Sequence, residues 1–486
     1  MIRILERSTI ITKEFQLNYA NNPDLKKQYK NTQGKSLKDK TDDDVEINTD
    51  DLSKYPLVYL NGVLIESTSI NKLQLTNNSF VPTLKLEFTD PTNKLLDENF
   101  PVDNSIISIF KESTNQSYMG IKMDFKVTDF IIIKGKKNTD SIYYSIDASL
   151  DLDELYLMNY ESYKGTSFEV LKKICADIGL GFATNIDNTS DNQVWINPAN
   201  YKIEFLRDII DLSYISDETF LFGYIDFYYN FNYVDIEKAL NEDISTQKNL
   251  IDFQQLDKKS SKTQEQEVPL ILTNMPDKDS TNLKIDLYTI ENSSTNVNLT
   301  YGYRHRANYY DKNNDVIKKY AMDSISVAGD DKIVMKGNET NDILYNNMIN
   351  GTWLGKLDTD NVHENFLHSK LQNMLNLKFL QKLKMTVRMN RVNYGLYRFQ
   401  LVEVRLYNLG KWNATQEKNK NKKTTKDKNQ GDEVDSFDET IINKLSGAWL
   451  ITAINIIYDK EGGNTQELTL VKRELTDGKY SFPGQI

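Results

Sequence analysis

Cysteine occurs once in 486 residues, at Cys175, so neither a disulfide framework nor a cysteine-built zinc site can form within one chain. Histidine is nearly as scarce. His305, His363 and His368 are the whole set, which leaves little material for imidazole catalysis or metal ligation. No run approaches the ~18 apolar residues of a membrane helix. The densest, Phe220 to Phe231, is broken by Gly223, Asp226 and Asn230. The opening MIRILERSTIITKEFQ lacks a long apolar segment and a small-residue cleavage site, so neither a secretory signal nor membrane insertion is expected. Positive charge is in deficit: 59 Lys and Arg against 70 Asp and Glu give a net charge of -11. That balance disfavours a protein that grips nucleic acid along its surface. Hydrophobic residues make up 39%, enough for a chain of this length to bury several cores, and the length predicts about three domains.

What is present reads mainly as strand. Twenty-eight Tyr and 20 Phe against 9 Pro favour β-structure with polar loops. Residues 1–16 alternate well enough for a short strand that docks elsewhere, and 20–55 form a polar arm too poor in apolar side chains to build a core. In LVYLNGVLIE, Asn61-Gly62 sits between two apolar runs and predicts a type I′ hairpin. Strand-like runs come after it at Thr83–Phe88, Ser105–Phe110, Ile121–Ile133 and Ser141–Leu150, giving an antiparallel β domain over 56–155.

The period then changes. Thr166-Ser-Phe-Glu169 is a capping box, and Val170, Leu171, Ile174, Cys175 and Ile178 make one apolar helical stripe. Cys175 is thereby a small core residue rather than a reactive thiol. A second amphipathic helix at about 203–214 buries Phe205, Leu206, Ile209 and Ile210, and an aromatic hairpin turns around Asp226–Asn230. Residues 156–245 therefore form a small α+β domain, and 246–360 are a connecting region able to lend strands to a second β domain. A helix is expected at 362–381, burying Leu367, Leu371, Met374, Leu375 and Phe379. It leads into the period-2 strand Leu383–Met389, a strand at Tyr397–Tyr407, and a hairpin through Lys460–Asn464. This second antiparallel β domain spans 361–475, carries a charged insertion at 411–439, and precedes a tail at 476–486. The insertion's basic and acidic halves nearly cancel, as in a solvated loop. The fold class is mainly β, α+β overall: an antiparallel barrel or sandwich and a second antiparallel β domain, with a small α+β domain between them.

Catalytic and metal motifs fail on spacing. His363-Glu364 and His368 mimic a zinc-protease motif, but positions i and i+5 lie about 140° apart on a helix, where ligation needs i and i+4. Asn361 as N-cap with Glu364 as its capping-box partner is the simpler account. Gln33-Gly34-Lys35-Ser36 ends like a phosphate loop, yet Tyr29 stands where the first glycine belongs. Asp42–Asp44 lie in polar sequence, Asp358 and Asp360 lack calcium-loop spacing, and Arg304-His305-Arg306 reads as an ion-pairing spot. No catalytic, cofactor-binding or metal-binding residue is assigned, no cofactor is expected, and the chain is not expected to be an enzyme.

Three segments carry a resemblance. Asp151–Gly181, through KGTSFEVL, looks like the passage from a barrel's last strand into an insert helix in the central baseplate hub proteins of contractile-tailed phages. The helix and aromatic hairpin of Tyr201–Ile236, and the closing SGAWLITAINIIYDKEGGNTQELTLVKREL, are similar to that family's next element and final hairpin. The family includes the T-even-type hub and the hub portion of type VI secretion VgrG spike proteins. The resemblance implies two tail-tube-like barrels per chain and a homotrimer joining the six-fold tail tube to the three-fold central spike around a DNA-ejection channel. It also implies the tail tube, spike, other baseplate or wedge proteins and tape measure protein as partners, with no sequence-specific nucleic-acid binding. The location it implies is the virion tail baseplate, assembled in the host cytoplasm. The chain ends at SFPGQI soon after the second β domain, so any spike or wall-degrading activity is expected on a separate partner. A glycan-binding adhesin and a cell-wall hydrolase using an Asp/Glu pair are the alternatives.

Overall fold

The computed structural model describes residues 2–10, 55–91, 93, 95, 100–102, 104–111, 120–134, 141–216, 218–242, 271–274, 283–293, 304–311, 316–323, 352–355, 363, 365, 369–370, 372–373, 380–411, 440–473 and 475, with 304–355 described in backbone only. Strand β1 (Arg3–Glu6) comes first. Strands β2 (Leu57–Leu60) and β3 (Val63–Ile65) flank Asn61-Gly62. Both turn residues are left-handed, with φ of 49° and 81°, as a type I′ hairpin requires. Strands β4 (Ile70–Asn77), β5 (Thr83–Asp90), β6 (Ile106–Lys111), β7 (Ile121–Lys134) and β8 (Ile142–Leu150) come after them. Their alternation buries one face: Leu84, Leu86 and Phe88 point inward, and Phe88 stacks on Tyr144 with ring centres 4.8 Å apart. The strands are ordered β4-β5-β8-β7-β6-β2-β3. The two end strands are consecutive in the chain, joined through a 3-10 turn at Ser67–Ser69, with no ladder between them among the described residues.

Next come β9 (Met158–Gly165), helix α1 (Ser167–Asp177), β10 (Gly181–Thr184), β11 (Gln193–Tyr201), helix α2 (Lys202–Leu212), β12 (Leu221–Ile225), β13 (Asn230–Asp235) and helix α3 (Ile236–Leu240). The capping box forms as expected: the Glu169 N–H donates to Thr166 Oγ1 at 3.3 Å, and the Thr166 N–H to Glu169 Oε2 at 3.2 Å. Val170, Leu171, Ile174 and Cys175 are buried along one face of α1, and Phe205, Leu206, Ile209 and Ile210 along α2. Strands β10 and β13 pair in parallel, β12 closes the aromatic hairpin, and β1 adds antiparallel to β10, giving the sheet β1-β10-β13-β12. The amino-terminal strand thus docks on the α+β unit, more than 170 residues away in sequence.

Strands β14 (Ile271–Thr273), β15 (Leu283–Asn292), β16 (Arg304–Asp311), β17 (Val316–Asp323) and β18 (Thr352–Gly355) lie in the connecting region. Strands β19 (Leu383–Met389), β20 (Leu401–Arg405), β21 (Gly447–Asp459) and β22 (Gly463–Val471) complete the chain. Strands β16–β18 form a sheet of their own. The others close a six-strand barrel in the order β20-β14-β15-β19-β22-β21, with β21 returning to β20. Strand β14 runs parallel to both neighbours, and the remaining ladders of the barrel are antiparallel. Leu383, Met385, Val387 and Met389 of β19 are buried, while Lys384, Thr386 and Arg388 face outward.

Strand β21 joins the two β assemblies. Its first residues, Gly447 to Leu450, pair with β20 and close the barrel, whereas Ile454 to Asp459 pair with β4. All β assembly strands thereby belong to one 13-stranded sheet. One sequence expectation is corrected in its bounds. The strand read at Tyr397–Tyr407 is extended only from Leu401, because Phe399 is left-handed (φ 61°) and turns the chain inward. Most of the helix expected at 362–381 lies outside the described residues, although 369, 370, 372, 373 and 380 are helical. The tracts 20–55 and 411–439 lie outside them too, but for residues 55 and 411.

Candidate functional site

The fork in β21 is where the parts of the chain meet, and a buried arginine occupies it. Arg398 Nε donates to the Thr452 carbonyl at 2.7 Å, between the segment of β21 that pairs with β20 and the segment that pairs with β4. Its Nη1 donates to the Ser79 carbonyl at 2.6 Å and to Asn77 Oδ1 at 3.2 Å, at the end of β4. Phe222 and Tyr224 of β12, with Phe399, surround the guanidinium at 4.5–5.5 Å from ring centres. Tyr224 Oη donates to the Arg398 carbonyl at 3.1 Å. One side chain therefore ties the barrel, the first β assembly and the α+β unit together. Burial pushes its pKa down to about 10, so it remains cationic at neutral pH. No local motif flagged Arg398 in the sequence. The available signal was a lone charge inside the aromatic stretch YGLYRFQLV.

The buried carboxylates of the α+β unit hold turns and caps. Asp226 accepts from the Tyr228 and Asn230 N–H groups at 2.8 and 2.9 Å and from the Asn230 and Asn232 side-chain amides, which fixes the β12–β13 turn. Burial raises its pKa, and these bonds oppose the rise. Asp191 accepts from Ser167 N at 2.9 Å, Thr189 Oγ1 at 2.6 Å and Tyr214 N at 2.9 Å. Asp235 accepts from Phe220 N and Glu237 N at 3.1 and 3.0 Å and caps α3. Asp211 is pushed up to about 6 chiefly by burial, with Lys370 opposing and Asp208, one helical turn away, adding to it.

Residues weighed from sequence fall in separate places. His363 is buried, with its N–H on Gln193 Oε1 at 3.0 Å, its Nε2 2.8 Å from the Leu212 carbonyl, and its ring against Tyr214. Cys175 lies in the α1 stripe, and burial raises its thiol pKa. Arg304, His305 and Arg306 lie on β16. Tyr29, Gly34–Ser36, Asp42–Asp44, Asp358, Asp360, Asn361, Glu364 and His368 lie outside the described residues. Among the described residues no three His, Cys, Asp or Glu side chains are grouped as a metal would need, and no helix is long and apolar enough to cross a membrane. A cavity of about 420 Å³ lies between the first β assembly and the α+β unit, lined by Asp124, Asp151, Asp153, Glu154, Asp177 and Tyr229 among others.

Among the described residues, exposed apolar side chains include those of two strand surfaces. On β9 and β11 these are Met158 (60%), Tyr160 (87%), Ile196 (63%) and Tyr201 (40%), and on the far end of β7 they are Ile131 and Ile133 (55% each). Exposed apolar side chains gathered on one surface mark contact sites more often than scattered ones do.

Neither a protein-family model nor a curated protein matches the sequence. Solved structures do. A tail protein from Neisseria meningitidis MC58 aligns over 86% of this chain and 97% of its own, at 10% identity and a TM-score of 0.45. The 43 kDa tail protein of prophage MuSo2 from Shewanella oneidensis aligns over 87% and 100%, at 11% identity and a TM-score of 0.48. A component of the Escherichia coli type VI secretion system aligns over 87% and 78%, at 8% identity and a TM-score of 0.37.

Proposed function

We propose that the chain is a structural protein of a phage tail, the hub of its baseplate, acting as a trimeric adaptor between the six-fold tail tube and the three-fold central spike. The observation that carries this reading is the fork in β21, which fuses two β assemblies edge to edge in one chain. Three such chains about an axis would present six β assemblies to the tube while keeping three-fold symmetry toward the spike. A part that transmits force between tube and spike needs its units locked, and the buried Arg398 at the fork supplies that lock. In this reading the chain performs no catalysis and holds no cofactor. Its partners are the spike, the tail tube protein, neighbouring baseplate or wedge proteins and the tape measure protein. DNA passes through the ring without sequence-specific contact, and the chain's negative balance keeps the duplex from adhering.

Light scattering on the purified full chain, alone and mixed with its candidate spike protein, tests the reading. A trimer that captures the spike is expected. A monomer that ignores the spike and clears a cell-wall substrate, or binds a glycan array, would replace the hub with the hydrolase or the adhesin.

A further inference from the structure

The two β assemblies repeat one another strand for strand. The ladder β7-β8-β5-β4 of the first corresponds to β21-β22-β19-β15 of the second. Their irregularities fall at the same places. The residue skipped in register is Thr128 on β7 and Thr452 on β21. Each threonine Oγ1 donates across its hairpin, to the Asp147 carbonyl at 3.0 Å and the Thr469 carbonyl at 3.2 Å. Just before the skip, the Val127 N–H donates to the Ser105 carbonyl at 2.9 Å and the Ile451 N–H to the Gln400 carbonyl at 3.0 Å. The residue ahead of each acceptor is left-handed, Asn104 at φ 65° and Phe399 at φ 61°. Register also shifts once on β4, at Asn71, and once on β15, at Asp286. Aligned on these marks, Ile131–Lys134 stand where Asn455–Tyr458 stand, and Tyr288–Glu291 where Leu73–Thr76 stand.

The two copies differ in one respect. The far half of β21 takes β4 as a second neighbour, with Asn455 opposite Thr76, Ile456 opposite Leu75, Ile457 opposite Gln74 and Tyr458 opposite Leu73. That junction leaves Ile456, Tyr458, Leu73 and Leu75 at 3% exposure or less. Neither counterpart edge has such a neighbour among the described residues: Ile131–Lys134 pair with β8 alone, and Tyr288–Glu291 with β19 alone. Their side chains are correspondingly bare. Ile131 and Ile133 are each 55% exposed, and Ile290 is 38% exposed where its counterpart Leu75 is at 0%. An open apolar edge is a template for another strand, which proteins otherwise blunt with charge, proline or a cover. Both open edges face away from the junction, since β15 lies three strands from β21 either way round the barrel and β7 lies three strands from β4.

We propose that these edges meet between copies of this chain, β7 of one copy pairing antiparallel with β15 of the next and so repeating the β21–β4 junction. The junction takes one edge from each assembly, and each copy has one of each left over. The repeat also sets the register: Ile131 opposite Glu291, Ile132 opposite Ile290, Ile133 opposite Thr289 and Lys134 opposite Tyr288. No like charges oppose one another in it. Because the two edges differ, the contact is heterologous, and repetition closes a ring or grows a filament whose junctions lie alternately within and between chains. The inference rests on the self-association in the proposed function, and adds which strands make it and in what register.

Cysteine variants of the full chain test this, since the native Cys175 is buried and will not compete. Ile133→Cys and Thr289→Cys, both at exposed positions, are produced singly and by co-expression and then oxidised. Opposed residues on antiparallel strands lie about 4.5–5.5 Å apart, within disulfide reach. A disulfide-linked dimer is expected from the co-expressed pair and from neither variant alone. Asp129→Cys co-expressed with Thr289→Cys is four residues out of register, about 13 Å, and should give none. A dimer from either variant alone, or equal linkage in the offset pair, would overturn the proposal. Chains that light scattering finds oligomeric but that do not link would refute it and leave the hub reading standing. Chains monomeric at every concentration would refute both. An independent arm uses charge: Ile133→Lys with Thr289→Lys opposes like charges and should weaken association severalfold, whereas Ile133→Lys with Thr289→Glu should restore it. Unchanged association in the first, or loss in both, would also overturn the proposal.

Discussion

Lys111 is fully buried at the end of β6, in the inward row with Ile107 and Ile109. Its ammonium lies 5.8 Å from the centre of the Tyr458 ring and finds no hydrogen-bond partner among the described residues. Desolvation pushes its pKa from 10.5 down to about 7. Between those values the unfolded chain binds the proton and the folded chain releases it, so stability rises with pH from about 7 to about 10.5. Lys472, pushed down to about 8 by burial, acts in the same direction. Lys111→Met should therefore stabilise the chain at pH 7, by up to about 5 kcal/mol, and flatten the rise in denaturation midpoint between pH 7 and 10. A variant with unchanged pH dependence would contradict this. Arg398→Ala should act oppositely, costing about 3–5 kcal/mol in urea unfolding. It leaves the Ser79 and Thr452 carbonyls without their donor and empties the space between three aromatic rings. Arg398→Lys should recover little of this, since one ammonium cannot reproduce the planar fork.

At the scale of elements, the legible parts were those whose cause is local. Asn61-Gly62 specified its turn because both positions need left-handed φ, and Thr166 with Glu169 specified the start of α1 because each satisfies the other's backbone. Thr166→Ala should cost about 1 kcal/mol, measurable by thermal unfolding. The β19 alternation likewise gave its buried face. What could not be read was pairing between distant segments. Residues 1–16 could be expected to dock, but nothing in them names β10 as the partner. The three-residue β14 has too little sequence to show a period, and one of its two parallel neighbours, β20, is supplied from far along the chain. The docking of β1 depends on Gly181, where an added Cβ would meet Ser8 N at 2.7 Å and the Glu6 carbonyl at 2.9 Å. Gly181→Ala should displace the amino-terminal strand at a cost of about 1–3 kcal/mol and speed proteolysis within residues 2–10. Equal cleavage rates in variant and parent would speak against it.

Over the whole molecule, the sequence conveyed two β assemblies and an α+β unit but not that the assemblies share one sheet. That fusion depends on a single strand that changes partner midway, and each half of β21 looks alike in apolar pattern. Arg398 was illegible for the same reason, because its partners come from residues 77–79, 222–224 and 452. The candidate site is thus a property of assembly rather than of any motif, in keeping with a protein whose proposed work is to join other parts. The most direct test of that claim is end-on electron-microscope averaging of the purified full chain, with copy number fixed by native mass. The account predicts a hollow ring of three chains showing six similar densities around its channel. Isolated single-chain particles, or a closed ring built from another number of chains, would contradict it.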